Sequence, residues 1–244
     1  MERLGSILKK IAAKNTRLTE RRESSENALP TPITCPRCND FGWVQRRGAN
    51  REVIPCRCNP PKPIGQGRGF DTFKPIPGTQ TMVAAAQEFV AGTGPPGLTI
   101  VGKNGCGKTH IMEAIANAMH DNGRHPGYIF LPDFLANLRS SFEPESDWKY
   151  SDLWKRWSSM DVLLLDDLKD DGRPTPWAIE QVERIVDVRY RESKPYVVST
   201  NGTLDSIERV WSRRLADRLF DERSGNVRVV YNTAISYRTG KAWK

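Results

Sequence analysis

The chain has 244 residues, 38% of them hydrophobic and 27% charged, and a formal net charge of +8. Its longest purely aliphatic run is 162–165, whereas a membrane span needs about 20 apolar residues, and it carries no secretory hydrophobic segment. These features argue against a membrane protein and predict a cytoplasmic one with room for one full-sized domain and a small one; the charge suits a polyanionic partner, solubility being the plainer reading.

In residues 2–23, Leu4, Ile7, Leu8, Ile11 and Leu18 fall on one helical stripe ringed by Lys9, Lys10, Lys14, Arg17, Arg21 and Arg22. Such a basic amphipathic helix can dock on a partner protein, a membrane surface or nucleic acid, or pack on its own neighbouring module. Residues 24–34 turn polar and contain Pro30 and Pro32, so 1–30 reads as helix and linker.

Four of the five cysteines follow in one cluster. Cys35 and Cys38 form a CxxC knuckle, and Cys56 and Cys58 form a CxC pair after a hairpin-length excursion through Trp43 and Val53. Four thiolates from two turns can surround one tetrahedral Zn2+, and a module this small lacks the core to fold without a staple. In a cytoplasmic chain the clustering favours metal over disulfides, the alternative being reduced free cysteines. Four sulfur ligands leave no open position, so the zinc of this module, 31–62, would be structural. Pro60, Pro61, Pro63, Pro75 and Pro77, with Gly65, Gly67 and Gly69, then mark a connector over 63–78 with little regular structure. A helix is expected over 80–91.

The next stretch carries the most specific signal. The apolar Leu98, Ile100 and Val101 lead into Gly102, Lys103, Asn104, Gly105, Cys106, Gly107, Lys108 and Thr109, and Ile111, Met112, Ile115 and Met119 leave at helical spacing. This is a P-loop in its context of strand, glycine loop and helix. Glycines let backbone N–H groups turn inward around phosphate, Lys108 reaches the β- and γ-phosphates of ATP, and the Thr109 hydroxyl ligates Mg2+. A glycine turn that binds nothing does not need Gly-Lys-Thr at this spacing.

Residues 125–127 break the chain, and 128–131 read as a second buried strand. Phe134, Leu135 and Leu138 are helical, and a charged region then carries Trp148, Lys149, Trp154, Lys155, Arg156 and Trp157. Such aromatics act as core anchors or as stacking platforms for nucleic acid. Residues 161–168 read as a strand buried on both faces and ending in Asp166 and Asp167. Asp166 is placed to hold Mg2+ with Thr109, and Asp167 to polarise the attacking water. Ile179, Val182, Ile185, Val186 and Tyr190 predict a helix, and 196–201 a strand whose terminal Asn201 can orient that water between the phosphate-binding and acidic strands. Residues 211–220 read as helix, with Trp211, Leu215 and Leu219 on one stripe and Arg214 and Arg218 on an adjacent face; 227–231 is a last strand.

In this order the parts resemble the AAA+ helicase loaders of the DnaC and DnaI type, with the IstB-like transposition ATPases as relatives. The resemblance spans roughly residues 70–244 and rests on F-D-T-F, G-K-N-G-C-G-K-T, L-L-L-D-D-L, V-V-S-T-N, S-R-R-L-A-D-R-L and S-Y-R. It implies an α/β P-loop NTPase over 79–244, with a parallel five-stranded sheet and no helical lid, joined to the small zinc-binding module. Asn201 would be the sensor at a strand end, Arg214 and Arg218 would lie at a subunit interface with Arg218 as arginine finger, and Arg238 would contact nucleotide. The implied function is loading of a hexameric replicative helicase onto single-stranded DNA by a self-assembling, Mg2+-dependent ATPase. Rival readings are a transposition helper that binds duplex DNA and a transposase, and a nucleotide-gated interaction protein that scarcely hydrolyses ATP.

Overall fold

The structure is a computed structural model that describes residues 43–45, 53–55, 64, 67–143, 146 and 149–239. The chain divides into two compact units, Met1–Asn59 and Pro60–Lys244. In the first, β1 (Trp43–Gln45) and β2 (Val53–Pro55) pair antiparallel, with Trp43 opposite Pro55. The basic helix expected over 2–23 and the ligand set Cys35, Cys38, Cys56 and Cys58 lie outside the described residues, as does Trp148.

The second unit alternates strands and helices: α1 (Gln80–Ala91), β3 (Gly97–Gly102), α2 (Lys108–Asp121), β4 (Pro126–Phe130), α3 (Leu131–Ser140), α4 (Tyr150–Ser159), β5 (Val162–Leu168), α5 (Pro176–Arg191), β6 (Tyr196–Thr200), α6 (Leu204–Val210), α7 (Arg213–Phe220) and β7 (Val227–Asn232). The five strands β3 to β7 form one parallel sheet in the order β4-β5-β6-β3-β7. Strand β6 therefore sits between β3, which leads into the P-loop, and β5, which ends in the paired aspartates.

Period-two alternation divides the strand side chains between two cores. Val162 and Leu164 of β5 pack with Met82, Phe89, Ile111, Met112 and Ile115 from α1 and α2. Leu163 and Leu165 face the opposite side, against Phe134, Leu138, Val182, Ile185, Leu215 and Leu219. Leu163 and Leu164 are wholly buried, so truncating either to alanine should cost about 2–5 kcal/mol. Helix α4 buries Leu153 and Trp154, and the Arg184 guanidinium lies 4.3 Å over the Trp154 ring, so this aromatic is a core anchor.

Two boundaries differ from expectation. Leu131 opens α3 instead of closing β4, because Pro132 suits the first turn of a helix, where a missing N–H costs nothing. Trp211 lies outside α7: Ser212 caps that helix by accepting a bond from the Leu215 N–H, and α6 has already ended at Val210.

Candidate active site

The P-loop curls at the C-terminal end of β3. Gly105 and Gly107 have φ of 82° and 96°, values that side-chain-bearing residues seldom adopt, and a Cβ on Gly107 would stand 2.9 Å from the Phe73 ring. The loop turns at these two residues and delivers Lys108 and Thr109 to the first turn of α2. Lys108 Nζ donates to the carbonyls of Gly102 at 2.7 Å and Lys103 at 3.1 Å, and to Asn201 Oδ1 at 2.7 Å. Burial draws the Lys108 ammonium below the ordinary lysine range, with the nearby Cys106, Asp166 and Asp167 acting in the opposite sense. Asn201 Nδ2 in turn donates to Asn104 Oδ1 at 2.9 Å, so the end of β6 is bonded to the loop at two points.

Strand β5 supplies the carboxylates through an irregularity. Its register with β6 shifts between Leu165 and Leu168, and Asp167 has φ of 67°. That conformation costs about 1–2 kcal/mol for most residues, and aspartate is among the few that visit it. The bulge directs neighbouring side chains differently. Asp166 is 2% exposed and accepts from Tyr128 Oη at 2.7 Å on Oδ2 and from Ser199 Oγ on Oδ1, whereas the Asp167 side chain is 29% exposed. The Asp167 N–H donates to the same Ser199 Oγ at 3.0 Å, and Thr200 Oγ1 donates to the Leu168 carbonyl at 2.6 Å, pinning the bulge to β6. Burial, then the Asp166 charge, raises the Tyr128 phenol far above its usual range, so it stays a donor.

A cavity of about 580 Å³ is lined by Asn104, Gly105, Gly107, Lys108, Thr109, Asp166, Asp167, Ser199 and Arg238, and by residues 68 and 72–74. Arg238 arrives because the Tyr237 N–H donates to the Gly105 carbonyl at 2.9 Å and Tyr237 Oη donates to the Lys74 carbonyl at 2.6 Å. Backbone donors, a lysine and a helix start on one side face two carboxylates on the other, an arrangement that fits a nucleotide triphosphate with a divalent cation between Thr109 and Asp166. Gly102, Lys103 and Cys106 support the loop without lining the cavity. The Cys106 side chain is buried, its carbonyl accepts from Asn232 Nδ2 at 2.8 Å, and burial raises its thiol.

Arg214 and Arg218 do not line this cavity. They meet on Asp187 of α5, whose side chain is 5% exposed: Arg214 Nη2 lies 2.9 Å from Oδ2 and Arg218 Nε 3.2 Å from Oδ1. Within its own domain this basic pair thus neutralises a buried acid. Hydrogen bonds from Arg218 and Arg214 overcome the opposing effect of burial and hold the Asp187 carboxyl below its ordinary range.

With this geometry in place, residues 65–207, more than half the chain, match the family model of the bacterial DnaA ATPase domain. The chain belongs to that family. The chain is also similar to the replicative helicase loader DnaC of Escherichia coli, with 26% identity over 190 residues that make up 75% of each protein. It is 35% identical over 117 residues to the chromosomal replication initiator DnaA of Limosilactobacillus fermentum, covering 44% of this chain and 25% of that protein. The crystal structure of a DnaC helicase loader shares the fold, with a TM-score of 0.57 at 23% identity over 68% of this chain and 97% of the other. Relative to DnaA and two Bacillus subtilis proteins that it matches, the chain spans only 25%, 35% and 51% of their lengths. No helix among the described residues is long and apolar enough to cross a membrane.

Several site residues of this DnaA-type ATPase domain carry no motif. Tyr128 and Ser199 look like ordinary strand residues until the sheet places them on Asp166. The segment before α1 is bonded to a polar stripe of α2: Asn117 Oδ1 accepts from the Ile64 N–H at 2.7 Å, Asn117 Nδ2 donates to the Arg68 carbonyl at 2.9 Å, and His110 Nε2 lies 3.0 Å from the Gly69 carbonyl. This stretch, read from sequence as a connector, forms a wall of the cavity through Arg68, Thr72, Phe73 and Lys74. The spacing of His110, Glu113 and Asn117 on one helical face was the available signal.

Proposed function

We propose that the chain is an ATP-dependent helicase loader that binds a hexameric replicative helicase and delivers it to single-stranded DNA during replication initiation. The observation that carries this reading is that Arg214 and Arg218 stand outside their own nucleotide cavity. In this reading the γ-phosphate they serve belongs to a neighbouring copy, as in an assembling ATPase. Similarity to DnaC over three quarters of both chains supports the loader assignment.

In this reading the P-loop amides and Lys108 hold the phosphates of ATP, and Thr109 and Asp166 would hold Mg2+, which would neutralise phosphate charge. Asp167 accepts the proton of the attacking water, Asn201 fixes its position beside Lys108, and Arg238 contacts the nucleotide. The products are ADP and phosphate. Residues 1–30 form a basic helix and linker, 31–62 a module stapled by zinc on Cys35, Cys38, Cys56 and Cys58, 63–78 a connector and 79–244 the ATPase domain, all in the cytoplasm. The pairing of Trp43 with Pro55, the residue directly before Cys56, supports a hairpin between the two cysteine pairs.

The test combines the purified chain with a replicative helicase, ATP and DNA. A loader retains the helicase on single strands in an ATP-dependent way, and its own affinity for single strands falls steeply with salt as phosphate contacts release counterions. Failure to bind helicase, together with tighter binding to duplex than to single strands, contradicts the proposal and favours a transposition helper.

A further inference from the structure

We propose that Asp187 and Tyr190 of α5 are positioning residues for Arg218, holding its guanidinium so that both terminal nitrogens are presented to the nucleotide of a neighbouring copy. The inference rests on reading Arg218 as the arginine delivered in trans, and adds the groups that aim it.

Three contacts hold this arginine. Its Nε donates to Asp187 Oδ1 at 3.2 Å. Its guanidinium carbon lies 4.4 Å over the Tyr190 ring, and its backbone carbonyl accepts from Tyr196 Oη at 2.8 Å. Tyr190 is held in turn, donating from Oη to Asp221 Oδ2 at 2.8 Å. The ring contact and the Nε bond together hold the guanidinium from two sides.

The choice of nitrogen separates positioning from simple charge pairing. A buried carboxylate is best neutralised by a two-pronged contact through paired guanidinium nitrogens. Arg218 instead spends only Nε, leaving Nη1 and Nη2 with no hydrogen-bond partner among the described residues. Arg218 is not the only cation on Asp187, since Arg191 Nε and Arg214 Nη2 each lie 2.9 Å from its Oδ2. The side chains of Arg191 and Arg214 are 64% and 61% exposed, in a surface pocket that Glu180, Glu183 and Arg184 also line. A partly buried arginine fixed at its base, with free terminal donors beside two exposed cations, suits the dianionic terminal phosphate of a nucleotide approaching from outside.

The test is ATP hydrolysis by the full chain assembled with helicase and single-stranded DNA. Asp187→Asn and Tyr190→Leu should lower kcat roughly 10- to 100-fold, the effect of misplacing a catalytic group by about 1 Å, with ATP binding by the isolated chain and KM unchanged. Asp187→Glu, which restores the charge, should recover part of the loss. Mixing Asp187→Asn with Lys108→Ala chains should also restore hydrolysis, because the second chain offers an intact Asp187–Arg218 pair to the P-loop of the first; a folding defect would not be repaired this way. Tyr190→Leu leaves Asp187 in place and serves if Asp187→Asn does not fold. Wild-type rates for both Asp187→Asn and Tyr190→Leu, beside an inactive Arg218→Ala, overturn the positioning role alone. A wild-type rate for Arg218→Ala overturns the arginine-finger reading on which it rests.

Discussion

Lys108 and Asn201, 93 residues apart in sequence, meet at 2.7 Å, Nζ donating to the side-chain carbonyl. The bond joins the phosphate-binding loop to the end of β6, so the lysine that should neutralise phosphate and the amide that should place the water share one geometry. Lys108→Ala should abolish ATP binding, because backbone amides alone cannot balance the β- and γ-phosphates. Asn201→Ala leaves Lys108 two carbonyl partners, so it should bind ATP and lose turnover. Titration calorimetry checks both, and equal ATP affinity for the wild type and Lys108→Ala would contradict the site.

Asp167 offers a cleaner separation of binding from chemistry. Asparagine tolerates the left-handed backbone found here as aspartate does, so Asp167→Asn should fold normally and keep the Asp167 N–H bond to Ser199. Hydrolysis should fall by roughly 10²- to 10⁴-fold, the usual contribution of a general base, while ATP affinity holds. Single-turnover phosphate release measures the first and calorimetry the second. A matched loss in both would mean that Asp167 supports the fold or the metal instead.

Much of this site is legible in the sequence, because the P-loop glycines, Lys108 and the Asp166–Asp167 pair each sit on a strand whose hydrophobic run announces it. The position of Asn201 between them follows from a strand with a polar end. Tyr128, Ser199 and Asp187 are not legible in that way. Their roles arise from contacts 27 to 38 residues away, set by sheet order and by the packing of α5 on α7, and no local pattern encodes those. The capping role of Ser212 was obscured by the apolar spacing of Trp211, Leu215 and Leu219, which continues across a helix start.

Asp187 also predicts a pH dependence. Its folded carboxyl lies below the ordinary value of 3.8, so the unfolded chain binds the proton more tightly. The stabilisation is fully present above pH 3.8 and is lost as pH falls through the lower folded value. Urea unfolding of the wild type should therefore lose stability relative to Asp187→Asn across that acid window, with a constant difference above it. Curves that stay parallel throughout would show that Asp187 does not carry the linkage.

For the cysteine cluster, metal analysis of protein purified without chelator should return about one zinc per chain. Replacing any of Cys35, Cys38, Cys56 or Cys58 with serine should remove the zinc and unfold the small module, leaving ATP binding intact. Absence of zinc from the wild type contradicts the module.

The most direct measurement of the central claim, an ATPase completed by its neighbour, mixes Arg218→Ala with Lys108→Ala chains in the presence of helicase and single-stranded DNA. Each alone should be inactive, Lys108→Ala for want of bound ATP and Arg218→Ala for want of a group worth roughly 10³- to 10⁵-fold in rate. The account predicts partial recovery of hydrolysis in the mixture, since an intact Arg218 from one chain meets an intact P-loop on the other. No recovery in mixtures shown to co-assemble would contradict it and place the action of Arg218 within its own chain.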